Sequence, residues 1–214
     1  MEYKYFIENL RDELCKPLPG TDVQWEMASS DRLIRDFPRH KKNDSKLAAV
    51  LILLYPINNE LHTLFIQRPE YNGVHSGQIS FPGGKKEKGD SNITDTALRE
   101  TCEEIGICDE ELIILGTLTP LFIPVSNIEV IPVVASCIKR PYIKPDRDEV
   151  VFVIEARLAD FFNHGIVKHK SMVVRGEELD VKYYDYQGKV IWGATAMMLH
   201  ELLVVMKRVG IIIG

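Results

Sequence analysis

Residues 81–107 read FPGGKKEKGDSNITDTALRETCEEIGI. After the Gly83-Gly84 turn and a polar loop, Ile93, Ala97, Leu98, Thr101 and Ile105 fall on one face of a helix that starts near Ser91. Asp90 or Ser91 is placed to cap it, Asp95 suits its first turn, and Gly106 stands where helices commonly end in the left-handed conformation. On the opposite face the spacing puts Glu100, Glu103 and Glu104 side by side. Such like-charge pairs cost roughly 0.2–0.5 kcal/mol each, and acids in the last turn oppose the helix dipole by roughly 0.3–1 kcal/mol each. Arg99 is expected to offset only one of them. A divalent cation is the simplest compensation, since carboxylate oxygens with room for water and phosphate are what Mg²⁺ selects. On the three glutamates alone a plain solvated acidic face is the alternative; the Gly-Gly loop and the Arg-Glu pair favour the metal.

Gly84, Asp90, Arg99, Glu100, Glu103, Glu104 and Gly106 are spaced G-x5-D-x8-R-E-x-x-E-E-x-G. This resembles the Nudix box of hydrolases that cleave nucleoside diphosphates linked to another moiety. Asp90 stands where the family usually carries Glu, with one extra residue before Arg99. The resemblance implies that Glu100 and Glu104 are the principal metal ligands, for Mg²⁺ or Mn²⁺, and that Glu103 is a further ligand or a water-orienting group. It also implies that Arg99 holds a Glu in place, and that the Gly84 backbone approaches the metal, as a residue without a side chain permits.

Just upstream, LFIQRPEYNGVHSGQISFPGG over Leu64 to Gly84 is similar to the signature of the coenzyme A pyrophosphatase branch of that family, through Arg68, Gly77, Phe81, Pro82, Gly83 and Gly84. His75-Ser76-Gly77-Gln78 matches the usual lead-in. Pro69 replaces a small residue and Gly73 a basic one. The resemblance places Arg68, His75 and Gln78 on the substrate side; Lys85, Lys86 and Lys88 lie in the loop where they can meet phosphates, a solvated loop being the alternative for each. The run Trp192-Gly193-Ala194-Thr195 resembles the same branch.

The rest of the 214-residue chain is read around this stretch. With 45% hydrophobic and 27% charged residues it has the make-up of one globular domain with a sizeable core. A net charge of −5 argues against coating nucleic acid or an anionic membrane, so a phosphate substrate must be met by local Lys and Arg and by metal. No leader pattern and no apolar run of ~18 residues is present, which gives a cytoplasmic expectation. Cys15, Cys102, Cys108 and Cys137 form no C-x-x-C pair and are expected to be reduced thiols, with Cys102 a small core residue. No G-x-S-x-G, G-x4-G-K-[ST] or G-x-G-x-x-G is present, so His75 and Ser76 are not read as part of a Ser-His hydrolase.

Tyr5, Phe6, Leu10 and Leu14 predict an N-terminal helix ending at Pro17, Pro19 and Gly20, and Ser30 to Phe37 a second one; His40 reads as a surface residue. Leu47 to Tyr55 is a buried strand, turned at Asn58-Asn59 into Leu61 to Gln67, with a short strand at Ile79 to Phe81. Beyond the motif helix, Leu112 to Leu118 and Ile128 to Ile138 are strands, and Phe122, Ile123 and Pro124 a loop shaping a pocket. Glu149 precedes the strand Val150 to Glu155 and is the candidate extra ligand or general base, since the family often adds one acid at such a position; a surface Glu is the alternative. A short helix at Leu158 to Phe162, strands at Met172 to Arg175, Val181 to Tyr186 and Lys189 to Trp192, and a helix through Val209 with core-filling Met197, Met198 and Met206 complete the reading.

The expected architecture is α+β, a Nudix-type α/β/α sandwich with a mixed sheet and one metal-binding motif helix. Residues 1–45 are expected to form a helical lead-in packed on a main domain of residues 46–214. The implied reaction is hydrolysis of a pyrophosphate bond, in coenzyme A or an acyl-coenzyme A, giving 3′,5′-ADP and 4′-phosphopantetheine or its acyl form. Another nucleoside diphosphate derivative such as ADP-ribose is the near alternative, and a nucleotide-binding module without turnover the alternative of another class. The expected partner is a small nucleotide, with no nucleic acid or membrane; a homodimer is left open, the Ile211-Ile212-Ile213 tail being one surface for it.

Overall fold

Leu47 to Tyr55 is apolar at nearly every position because the strand that contains it is covered on both faces. In the computed structural model, which describes residues 3–30, 44–70, 77–108, 112–174 and 176–210, this strand is β1, Lys46–Ile57. Ala48, Ile52 and Leu54 enter one core, while Ala49, Leu51, Leu53 and Tyr55 enter another. The alternation is the pleat itself.

The first core is closed by α1 (Tyr3–Leu14) and by the C-terminal helix α4 (Gly193–Val209), which pack on each other, together with α2 (Thr21–Trp25). The second is closed by the motif helix α3 (Ile93–Ile105) through Ala97 and Ile105. Helices therefore lie on both faces of one sheet, the expected sandwich. In that sheet β1 pairs antiparallel with β2 (Glu60–Gln67) and β4 (Gly83–Lys85), and parallel with β7 (Ile128–Ser136). On the β2 side lie β3 (Ile79–Ser80) and β8 (Phe152–Arg157); on β7 lie β5 (Ile113–Thr117) and β6 (Leu121–Ile123). The sheet is mixed. A separate antiparallel ribbon follows a 3₁₀ turn at Leu158–Phe162: β9 (Val167–Val174), β10 (Glu177–Tyr186) and β11 (Lys189–Trp192). Gln187 and Gly188 both take positive φ (51° and 78°) at the tight β10–β11 turn.

Several expectations need correction. Tyr5 is 58% exposed, and Ile7 takes the buried place on α1. Phe122 and Ile123 are strand residues, because β6 pairs with the start of β7. The ribbon strand β9 begins at Val167, well before Met172, since its Lys168, His169 and Lys170 sit on an open edge where no apolar alternation is needed. The cap of α3 is neither Asp90 nor Ser91. Asn92 accepts from the Asp95 N–H and the Asp95 carboxylate accepts from the Asn92 N–H, a reciprocal capping box. The helix expected over Ser30 to Phe37 falls mostly outside the described residues, as do His40 and Ile211 to Ile213. Among the described residues no helix is long and apolar enough to cross a membrane.

The largest correction concerns the thiols. Cys102 and Cys108 form a disulfide, while Cys15 and Cys137 are free. Gly106 ends α3 at φ 70° with its N–H on the Cys102 carbonyl; this left-handed turn folds the chain back and leaves the Cys102 and Cys108 Cα atoms 4.6 Å apart. A closed loop of this size stabilises by about 2 kcal/mol in the chain-entropy picture. Reductant is accordingly expected to lower the unfolding free energy by about that amount, measured by denaturant titration. Cys108→Ser should show the same loss and no further response to reductant.

Candidate active site

The site grows from the junction of β4 and α3. Gly83 adopts φ +147°, and a Cβ there would lie 2.2 Å from the Ala49 carbonyl oxygen and 2.6 Å from the Val50 Cα. Only glycine lets β4 cross β1 so closely. At Gly84 the obstacle is the site itself: a Cβ would fall 2.3 Å and 2.5 Å from the two carboxylate oxygens of Glu100. The Glu100 side chain thus lies directly on the Gly84 backbone.

Glu104 is placed differently from expectation. It shares the inward stripe of Ala97 and Thr101, and its side chain is 1% exposed, against 17% for Glu100 and 55% for Glu103. The three glutamates therefore step from core to solvent instead of sharing one open face. Glu104 Oε2 accepts the Gly83 N–H at 2.8 Å, Glu104 Oε1 pairs with Arg68 Nη2 at 2.9 Å, and the same Nη2 donates to the Gly83 carbonyl at 2.6 Å. Arg68, Gly83 and Glu104 form a closed ring of charge-assisted bonds. Burial nevertheless pushes the Glu104 carboxyl from 4.5 up to about 7, against the opposing pull of Arg68 and the Gly83 N–H. Burial also raises Glu100.

Arg99 does more than offset one acid. Its Nη1 donates to Glu100 Oε1 and Glu103 Oε2, both at 3.0 Å, and its Nη2 donates to the Lys85 carbonyl at 3.1 Å. Nε and Nη2 grip the two oxygens of Asp90 at 2.9 and 3.1 Å. Asp90 also accepts from the Thr96 hydroxyl and the Glu87 N–H, and Arg99 holds its carboxyl well below the usual range. Asp90 is thus the clamp that fixes Arg99, and Arg99 in turn braces Glu100 and Glu103.

The far wall comes from the segment before β8. The Lys144 N–H bonds the Ile105 carbonyl at 2.8 Å and the Asp146 N–H bonds the Glu104 carbonyl at 2.9 Å, satisfying orphan acceptors at the C-terminus of α3. This docking brings Asp148 and Glu149 to the rim of one cavity, of about 660 Å³, that also exposes Arg68, Gly84, Glu100 and Glu104. Gln78 and Lys85 line it as well. Glu103 and Arg99 do not line it, and His75 lies outside the described residues. Sequence reasoning missed Asp148, Val174, Leu179 and Met198. Of the remaining wall, Trp192 to Thr195 had been singled out by resemblance.

Among the described residues no three His, Cys, Asp or Glu side chains are gathered as a metal cage, because Arg68 and Arg99 hold the carboxylates. The donor set still fits a hard divalent cation: one buried and one partly buried carboxylate, both of raised pKa, a third acid lining the same cavity, and a glycine backbone at Gly84.

Comparison with known proteins agrees with the fold and the motif. The NUDIX domain profile matches residues 45–170. A protein of Pectobacterium atrosepticum named uncharacterized Nudix hydrolase NudL is 35% identical over 163 residues, 75% of this chain and 82% of the relative. One of the same name from Klebsiella pneumoniae strain 342 is 30% identical over 177 residues, 83% and 91% of the two chains. Among solved structures, a Nudix hydrolase from M. smegmatis, RenU, superposes with a TM-score of 0.54 at 15% identity, covering 77% of this chain and 87% of that one.

A carboxyl of raised pKa stabilises the folded state where it is protonated and loses that contribution as pH rises. For Glu104 in metal-free protein the contribution is complete below 4.5 and gone above about 7. The loss across that window is on the order of 3 kcal/mol. Glu104→Gln should flatten this part of the stability–pH curve, as read by thermal melts in chelator from pH 4 to 8.

Proposed function

We propose that this chain, which belongs to the Nudix family, hydrolyses the pyrophosphate bond of coenzyme A or an acyl-coenzyme A, releasing 3′,5′-ADP and 4′-phosphopantetheine or its acyl form. The observation that carries the reading is the continuity of one cavity from the acid cluster at Gly84, Glu100 and Glu104, past Arg68 and Gln78, to Trp192–Thr195. Both stretches that resemble the coenzyme A branch thus border the same space as the family's motif helix.

Nudix hydrolases generally use divalent metals, and here Glu100 and Glu104 would hold Mg²⁺ or Mn²⁺ beside the Gly84 backbone, with Glu103 as a further ligand or water-orienting group. When bound, the cation supplies neutralisation of phosphate charge and acidification of water. Every other part of the task falls to the chain. Arg68 and Lys85 face the anion; Arg68 is half-buried and hydrogen-bonded on one edge, so its orientation is set before substrate arrives. Gln78 lines the same wall, and His75 precedes it in the signature. Glu149, held opposite α3 by the docked Asp146 turn, accepts the proton of the water that attacks phosphorus in line. Arg99, clamped by Asp90, keeps Glu100 against Gly84. No covalent nucleophile is required. Within a lead-in of residues 1–45, α1 and α2 buttress the body of residues 46–214 through α4.

A second reading rests on Gly73, which stands where the coenzyme A branch has a basic residue. If that residue serves the extra 3′-phosphate, a nucleoside diphosphate derivative such as ADP-ribose is the substrate and the chemistry is unchanged. Product analysis by chromatography and mass separates the two. Incubation with Mg²⁺ or Mn²⁺ is expected to release 3′,5′-ADP from coenzyme A well above AMP from ADP-ribose. Glu100→Gln should lower kcat by about 10³ or more, roughly 4 kcal/mol, while the melting curve stays close to that of the parent. A near-normal rate would remove this helix from the chemistry, and intact nucleotide binding without product would point to a binding module.

A further inference from the structure

The cavity has two ends of opposite character. One is acidic and glycine-floored, as described above. The other is aliphatic, made by Ile123 at the end of β6 and Val125 just beyond it, Val174 and Leu179 from the β9–β10 ribbon, Met198 on α4, and one aromatic, Trp192. Four of these six, Val174, Leu179, Trp192 and Met198, lie beyond residue 170, where the match to the family domain stops. The ribbon is placed to supply them. In its register Leu179 pairs with Met172 and Glu177 with Val174, so Val174 shares a face with Leu179, while Val173 points away and is 75% exposed.

We infer that this aliphatic end is a subsite for an alkyl or acyl chain carried by the diphosphate substrate, and that Val174 and Leu179 of the β9–β10 ribbon set the preference for its length. The inference rests on the proposed diphosphate hydrolysis, because the acidic end fixes where the polar part of the same molecule must sit. An alkyl occupant fits better than a nucleobase. A base pocket needs hydrogen-bond groups facing the base edge, whereas apart from Trp192 this end is walled by branched aliphatics and a thioether, and the Thr195 hydroxyl is already committed to the Ile79 carbonyl at 3.0 Å. Each methylene removed from water onto such a wall is worth up to about fourfold in affinity or in kcat/KM, from about 0.8 kcal/mol per CH₂.

The test measures binding and turnover separately. By calorimetry with Mg²⁺, octyl diphosphate is expected to bind the parent protein at least about tenfold more tightly than methyl diphosphate. Val174→Asp, at a partly exposed position that tolerates charge, should remove most of that gain, and Leu179→Asn should do the same if it folds. In turnover, kcat/KM for P²-octyl-ADP should exceed that for P²-methyl-ADP, with the difference reduced in Val174→Asp. Equal binding of the two alkyl diphosphates would overturn the inference even if coenzyme A is cleaved. An alkyl gain without any cleavage of coenzyme A would leave the subsite standing and sink the coenzyme A reading. If Val174→Asp weakens ADP as much as octyl diphosphate, the wall holds the base and the inference fails.

Discussion

A carboxylate buried in the inward stripe of a helix is the constraint on which the site depends. Glu104 occupies a position that packing alone would give to an apolar residue, and burying its charge unpaired would cost several kcal/mol. The surrounding chain is arranged to meet that cost. Arg68 must come off the end of β2, Gly83 must present both its N–H and its carbonyl, and β4 passes so close to β1 that Gly83 must be glycine, while Gly84 must be glycine because Glu100 lies on it. The same crossing leaves Gly84 as the floor under Glu100. One buried charge thus dictates a strand junction, a glycine pair and the placement of a second acid.

The C-terminal end of α3, where Glu104 sits, shows a related economy. Acidic residues near a helix C-terminus are unfavourable partners for its dipole, and the expected relief was a metal, with Arg99 offsetting one acid. The structure adds a second relief: the N–H groups of Lys144 and Asp146 occupy the carbonyls of Ile105 and Glu104, and Arg99 spreads its guanidinium over Asp90, Glu100 and Glu103. The first of these contacts also carries Glu149 to the rim. Capping a helix and positioning a candidate base are here one and the same contact.

Much of the fold was legible where a single physical cause dominated a run of residues. The unbroken apolar sequence of β1 could only be a strand buried on both faces, and the 3.6-residue spacing of α3 and α4 left little choice. The glutamate triplet and the Gly-Gly turn announced the site. What escaped depended on partners distant in the chain. Phe122 and Ile123 become strand only because β7 lies beside them, and the first half of β9, Val167 to His169, is paired through its backbone while its side chains face water. The Cys102–Cys108 bond is invisible to motif spacing because the left-handed turn at Gly106, not a C-x-x-C loop, brings the thiols together. Glu104 looked like its neighbours in sequence, and only its register with Ala97 and Thr101 shows that it turns inward. The aliphatic wall from the ribbon carries no motif, so nothing short of three-dimensional placement could reveal it.

The parallel pairing of β1 with β7 has a consequence for how the molecule is made. Residues 46–54 must wait for residues 128–136 before the centre of the sheet exists, and everything between them, including the glycine junction and the motif helix, is synthesised first. Closing so long a loop is slow compared with forming a hairpin or a helix. During translation the β1–β2 hairpin and α3 can form locally, yet Glu149 and α4 emerge only after β7 has left the ribosome. A nascent chain therefore carries an acidic helix and an apolar strand still lacking its parallel partner while residues 106–136 are added, and such a partly paired sheet is the species most prone to misassociation.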